Sequence, residues 1–157
     1  MKIVEVETIP LAIPFTHGGK PAGWGGKAWT SLSVLLVKVT TEEGVTGYGE
    51  AFSYNCLRSV QAAFDDMVAP IVVNQEVDDI GIFLAEVQQK LHLFGRYGIV
   101  MFALSGLDIA LWDISAKTVN MPLWRLFGER RRDRLPAYAS LYRYGEPEIV
   151  AERCRQA

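Results

Sequence analysis

Two cysteines, two histidines and no long apolar run free of charges are what this 157-residue chain has to offer where many proteins carry their chemistry. Cys56 and Cys154 lack CxxC spacing, so no disulfide framework or thiolate metal site is expected, and a reducing, cytoplasmic setting is. His17 and His92 stand far apart, without the HxH or HExxH spacing that puts two imidazoles on one metal. Ser105 sits in "LSG" and lacks the GxSxG elbow of a nucleophilic serine. No signal-peptide core precedes the first strand pattern. The most apolar segment, 99 to 117, is interrupted by Ser105, Asp108 and Asp113, so no membrane span is expected. Charge of one sign is lacking too: 16 basic against 18 acidic residues leave a formal −2. Outside the run Arg130, Arg131, Arg132, which reads as a solvated or ion-paired connection, the basic residues are scattered, which disfavours nucleic acid as a partner. The doublets Glu42/Glu43, Asp65/Asp66 and Asp78/Asp79 read as turn and helix-surface charges rather than metal ligands.

What is present is a chain half hydrophobic and 22% charged, long enough for one well-buried domain and too short for two large ones. Residues 2–14 form a β-branched, aliphatic run whose Pro10 and Pro14 indicate an edge strand or one broken near its end. "TSLSVLLVKVTT" (30–41), the turn "EEG" and "VTGYGEAF" (45–52) predict a hairpin that completes an antiparallel meander. The spacing then turns helical. One helix is expected from an N-cap at Asn55 through 73, a second from Asp78 and Asp79 to Gly95, and a third from Ile99 to Asn120, stopped by Pro122. "PLWRLFG" adds a short helical turn closed by Gly128. Strands first and helices afterwards predict an α+β fold. From 135, "LPAYASLY" reads as a buried strand and "EPEIVAERCRQA" as a helix opened by Pro147. A lone strand-helix step is expected to be the start of a larger β/α array, which makes the chain look cut.

Three segments are candidates for chemistry. In "ALSGLDIALWDISAK" (103–117), apolar residues surround nearly the whole helix, so its charges must find partners. Asp113 and Lys117, four apart with the acid first, predict a structural ion pair, and Asp108, one turn before Trp112, predicts a carboxylate accepting from an indole or backbone donor. "HGGKPAGWGGKA" (17–28) is too glycine-rich for regular structure. Gly23, Gly25 and Ala28 imitate a dinucleotide fingerprint, but a strand follows where that motif needs a helix. The segment is either a lid bringing His17 and Trp24 to a ligand or an ordinary long connection. "GYGEAFSYN" (47–55) presents Glu50, Phe52, Tyr54 and Asn55 together. Glu50 reads equally as a structural partner or an acid, and Phe52 and Tyr54 as pocket walls or packing.

The opening stretch, "EEGVTGYGEA", Pro70 in the first helix and the long signature "ALSGLDIALWDISAKTVNMPLWRLFG" together resemble the N-terminal region of the mandelate racemase and muconate lactonizing enzyme group of the enolase superfamily. The resemblance covers almost the whole chain. It implies a capping domain over 1–128, a three-stranded meander followed by a helical bundle, and over 129–157 a linker and the first strand-helix unit of a truncated (β/α) barrel. It implies an enzyme whose base removes a proton α to a carboxylate while Mg²⁺ stabilises the enediolate, giving racemisation, epimerisation or acid-sugar dehydration. Its substrate would be a small carboxylate or acid sugar, its assembly a homo-oligomer, and neither nucleic acid nor membrane a partner. Two loops, 16–27 and 51–56, would shape specificity, with His17, Trp24, Phe52 and Tyr54 toward substrate and Tyr138 and Ser140 on the first barrel strand beside them. Asp108, Asp113 and Lys117 would be structural. No catalytic residue or metal ligand of the family falls in this chain, so none is assigned and no Mg²⁺ is expected to bind these residues alone. The alternative is a standalone, non-catalytic domain binding a ligand or protein. If the glycine-rich segment closes over substrate, Trp24→Ala in the protein as encoded should raise KM or change substrate preference more than it weakens metal binding, measured by steady-state kinetics and metal titration.

Overall fold

The computed structural model describes residues 1–16, 30–129, 131–141 and 146–157. They fall into two compact units, Met1–Leu11 with Ser33–Glu129, and Ala12–Leu32 with Arg130–Ala157.

The larger unit is built on a three-stranded antiparallel sheet in the order β1 (Ile3–Pro14), β2 (Ser31–Thr41), β3 (Thr46–Ala51). Along β2 the period of two separates the faces: Leu35, Val37 and Val39 are fully buried, while Lys38 and Thr40 meet Glu7 at 3.0 Å and Glu5 at 3.4 Å on the other face. Hydrogen bonding to Glu7, reinforced by its charge, holds the Lys38 ammonium above its ordinary pKa. β2 and β3 pair with Val37 opposite Gly49 and Val39 opposite Gly47, through a turn in which Gly44 takes φ 80°. β1 is an edge strand, where Pro10 and Pro14 cost least because an edge has amides without ladder partners. Its start is tied down by residues 74–77: Ile3 N donates to Gln75 O at 3.0 Å and Asn74 N to Ile3 O at 2.8 Å.

The expected single helix over 55–73 is present but broken in register. It starts at α1 (Leu57–Ala63) with Cys56 at the N-cap, while Asn55 sits one residue earlier at φ 55°. It then passes through a π turn, Phe64–Val68, into α2 (Ala69–Val72). Pro70 supplies the physical reason: it has no N–H for Asp66 O, and its ring crowds that carbonyl, so the chain widens and Ala69 N reaches back five residues to Phe64 O. α3 (Ile80–Lys90) is N-capped by Asp79, whose Oδ1 accepts from Ile82 N at 2.8 Å. A 3₁₀ turn, His92–Phe94, closes it, and His92 Nδ1 lies 2.7 Å from Gln89 O. α4 (Ile99–Thr118) leads to α5 (Leu123–Leu126), after which Phe127 packs edge-on against Trp112 at 4.9 Å.

α4 lies on β3 with almost nothing between the backbones. A Cβ at Gly49 would meet Gly106 O and, at 2.8 Å, Ala110 N; one at Gly47 would strike Ala110 O and, at 2.6 Å, Ile114 Cγ1. From the helix side, a Cβ at Gly106 would sit 2.7 Å from Val37 Cγ2 and 3.0 Å from the Ala51 Cβ. The alternation Gly47, Gly49, Ala51 on one strand face therefore meets Ala103, Gly106, Ala110 on one helix face, and the helix seats directly on the sheet. This packing also revises an expectation about length. At 20 residues α4 is, among the described helices, long and apolar enough to cross a bilayer, since Ser105, Asp108 and Asp113 dilute its hydropathy too little to matter. Half of it is buried inside this unit instead, with Leu107, Leu111 and Ile114 at the centre of the core.

In the smaller unit Phe15 N donates to Thr30 O at 3.0 Å, and α6 (Pro147–Gln156) starts with Pro147 in its first turn, as the sequence predicts. The buried strand expected at 135–142 is not formed among the described residues. Residues 134–141 carry no regular structure, and Leu135 and Tyr138 are 77% and 89% exposed. A strand is stabilised by its ladder, and among the described residues none pairs with these.

Because backbone atoms cannot move aside as a side-chain tip can, Gly49→Ala should destabilise the protein by about 2 kcal/mol or more, at the upper end of overpacking costs, in urea or thermal denaturation.

Candidate functional site

β3 leaves the sheet at Ala51 into a short turn, 52–56, whose geometry is set by three features. Ser53 is 3% exposed and its Oγ donates a long, 3.5 Å hydrogen bond to Ser33 O. Cys56 N donates to Ser53 O at 3.0 Å, and between them Asn55 adopts the left-handed conformation at φ 55°, which a short polar side chain tolerates better than most. With Ser53 fixed inward, its neighbours face out: Phe52 is 53% exposed and Tyr54 43%. The Phe52 ring meets the Phe102 ring of α4 edge-to-face, centroids 4.8 Å apart at 65°. Two aromatic surfaces on an anchored turn can pack against the C–H faces of a ligand.

The other predicted substrate residues are placed differently. Tyr138 and Ser140 are exposed in the irregular segment of the smaller unit. His17, Trp24 and Arg130 lie outside the described residues, as does nearly all of the 16–27 loop. Glu50 is exposed on β3.

Asp113 and Lys117 form the predicted pair, Nζ to Oδ2 at 2.7 Å, and both reach further. Asp113 Oδ2 accepts from Tyr48 N at 2.9 Å, and Lys117 Nζ donates to Thr46 O at 2.8 Å while lying 5.3 Å from the Tyr48 ring centroid. The pair thus occupies the free edge of β3, giving one outward N–H an acceptor and one outward C=O a donor, as a fourth strand would. Asp108 corrects an expectation. It is half-buried, and no hydrogen bond or ion pair reaches it among the described residues, neither from Trp112 nor from a backbone donor. Its position on the partly exposed side of α4 leaves water to hydrate the carboxylate, so burial does not demand a protein partner. No three His, Cys, Asp or Glu side chains converge among the described residues in a way that could hold a metal ion. The acidic doublets have other contacts: Glu42 pairs with Lys2 at 3.1 Å, and Asp65 accepts from the Thr8 hydroxyl at 2.9 Å. Ser53 in the turn and Phe102 on α4, whose ring supports Phe52, are the residues that sequence reasoning passed over. The alternation Phe52, Ser53, Tyr54 was the available signal for Ser53, whereas nothing in the helical periodicity singles out Phe102.

The family profile described as mandelate racemase / muconate lactonizing enzyme, N-terminal domain, matches residues 20–128. An arabinonate dehydratase of Saccharolobus solfataricus is 30% identical over 121 residues, 77% of this chain and 32% of the relative. A D-galactonate dehydratase of Xanthomonas euvesicatoria pv. vesicatoria is 39% identical over 107 residues, 66% of this chain and 27% of the relative. Among solved structures, a member of the enolase superfamily from Polaromonas sp. JS666 superimposes with a TM-score of 0.78 at 29% identity, over 99% of this chain and 41% of its own. The chain therefore spans about a third of the length of the curated relatives it matches.

Because the Asp113–Lys117 pair is half exposed, Asp113→Asn, which keeps an acceptor for Tyr48 N, should cost under about 1 kcal/mol. Asp113→Ala removes the acceptor as well and should cost about 1–2 kcal/mol more, read by thermal denaturation. A fully folded Asp113→Asn protein without activity would instead make Asp113 catalytic.

Proposed function

Because the chain belongs to the mandelate racemase / muconate lactonizing enzyme family, we propose that it is the capping portion of an enzyme that dehydrates a sugar acid, with the turn 52–56 as one wall of the substrate site. The observation that carries the role of the turn is its construction. Ser53 and Asn55 fix the backbone so that Phe52 and Tyr54, either side of an inward serine, both present exposed aromatic surface on an anchored turn. The substrate class is supported by the two relatives, an arabinonate and a D-galactonate dehydratase. In such a reaction a base takes the proton from the carbon beside the carboxylate, the hydroxyl on the next carbon leaves as water, and the enol tautomerises to a 2-keto-3-deoxy acid. Asp113 and Lys117 are committed to the β3 edge, so the part assigned to this chain is binding, orientation and exclusion of water rather than proton transfer. Magnesium, which the resemblance implies for the enzyme, finds no ligand set among the described residues. A reducing, cytoplasmic compartment suits the two free thiols, Cys56 and Cys154.

The test is a panel of five- and six-carbon aldonates offered to the protein as encoded, with Mg²⁺ present and product followed by NMR. At least one should lose water to give a 2-keto-3-deoxy acid, and Phe52→Ala should raise its KM by about tenfold or less, the range a single packing contact supplies. Turnover by racemisation or epimerisation alone would replace dehydration in this reading, and no turnover of any aldonate would remove the sugar-acid assignment.

A further inference from the structure

Phe52 raises a problem that burial does not solve. A phenylalanine ring 53% exposed is not confined by a core, and a wall that reorients between rotamers orders itself at each binding event at an entropic cost. The turn fixes its backbone through Ser53, but the side chain needs a support of its own. That support is on α4: the Phe102 ring stands edge-on to it at 4.8 Å and 65°, a favoured aromatic geometry. Phe102 is itself half-buried and packs against the core, one turn before the close contact of α4 with the sheet at Gly106. Ala103, next in sequence, is fully buried, and Gly106, one turn on, is pressed to the Val37 and Ala51 side chains of the sheet. A residue so seated cannot drift with the loop.

We propose that Phe102 is a positioning residue for substrate selection, holding the Phe52 ring in the orientation that meets the ligand; this rests on the reading of 52–56 as a substrate wall. Phe102 makes no contact with substrate. It acts through Phe52, and its removal leaves the wall present but loose. The loss appears in KM and in discrimination among aldonates of different length, while the chemical step proceeds as before once substrate is bound.

A double-mutant cycle tests this on the protein as encoded: Phe52→Leu, Phe102→Leu and the double variant, assayed on the aldonate panel alongside amide hydrogen exchange of the unliganded proteins. Phe102→Leu should raise KM about two- to tenfold, the range of an edge-to-face pair, with kcat within about twofold. The effect should vanish in the Phe52→Leu background, and Phe102→Tyr, which keeps the ring, should recover most of the wild-type KM. Exchange should quicken at residues 52–56 and stay unchanged in β2 and β3. Equal KM effects of Phe102→Leu in both backgrounds, or a lowered Tm with unchanged KM, would overturn the proposal by making Phe102 merely structural. If Phe102→Leu does not fold, Phe102→Met, apolar and of similar bulk, takes its place in the cycle. A wild-type protein silent on the whole panel overturns the sugar-acid reading alone. Exchange at 52–56 then judges Phe102 by itself, and no change there overturns the positioning role.

Discussion

The backbones of β3 and α4 meet at Gly47, Gly49 and Gly106 with no side chain between them, and the position of everything else in the larger unit follows from that contact. A helix ordinarily stands off a sheet because side chains of both fill the gap. Here the strand offers Gly47, Gly49 and Ala51 on the facing side and the helix offers Ala103, Gly106 and Ala110, so the long side chains are displaced to either flank. Val37, Leu107, Leu111 and Ile114, all 1% exposed or less, close the space around the contact rather than within it. Close approach also brings the helix side chains Asp113 and Lys117 level with the edge of β3, where they reach Tyr48 N and Thr46 O. With longer side chains in the seam, an ion pair between residues four apart on the helix surface would be too far from the strand to serve its backbone.

The two edges of the sheet are finished by different means. On β3 charged side chains serve one outward N–H and one outward C=O, and β1, whose start is bonded to residues 74–77, carries prolines at 10 and 14, which have no N–H to donate.

The elements that were legible in the sequence are those decided by local chemistry. The meander showed in the β-branched runs around "EEG", the helix starts in Asp79, and the ion pair in the i, i+4 spacing of Asp113 and Lys117, because each depends on residues close together in the chain. What was missed depends on partners far away in sequence. Gly47 and Gly49 look like ordinary hairpin glycines until it is known that a helix some 60 residues later lies on them. Phe102 is one apolar residue among many on α4, and its distinction is a ring it touches 50 residues earlier. Pro70 was visible, but its effect, a π turn rather than a break, depends on the packing that keeps Phe64, Val68 and Val72 buried on both sides of it. Asn55 looked a better cap than Cys56 by chemistry, yet the turn required Asn55 for its left-handed backbone. Phe52 and Tyr54 could be named from the sequence, but whether they packed or faced outward was settled by Ser53. The strand expected at 135–142 is not formed among the described residues for the same reason as the rest: alternation describes a strand only when something pairs with it.

The separation in sequence between β3 and α4 has a consequence for the order of events as the chain is made. The hydrogen bonds joining the pair to the strand span 65 and 71 residues. When the first three strands have left the ribosome, the apolar row of Leu35, Val37 and Val39 has no cover, because the helix that buries it has not yet been synthesised. The strands are then a sheet with one wet apolar face, short of the packing that makes such an assembly stable. The larger unit can close only after residue 117 has emerged, so β-structure made first is stabilised last, and translation through α4 is the interval in which this chain most needs protection from its neighbours.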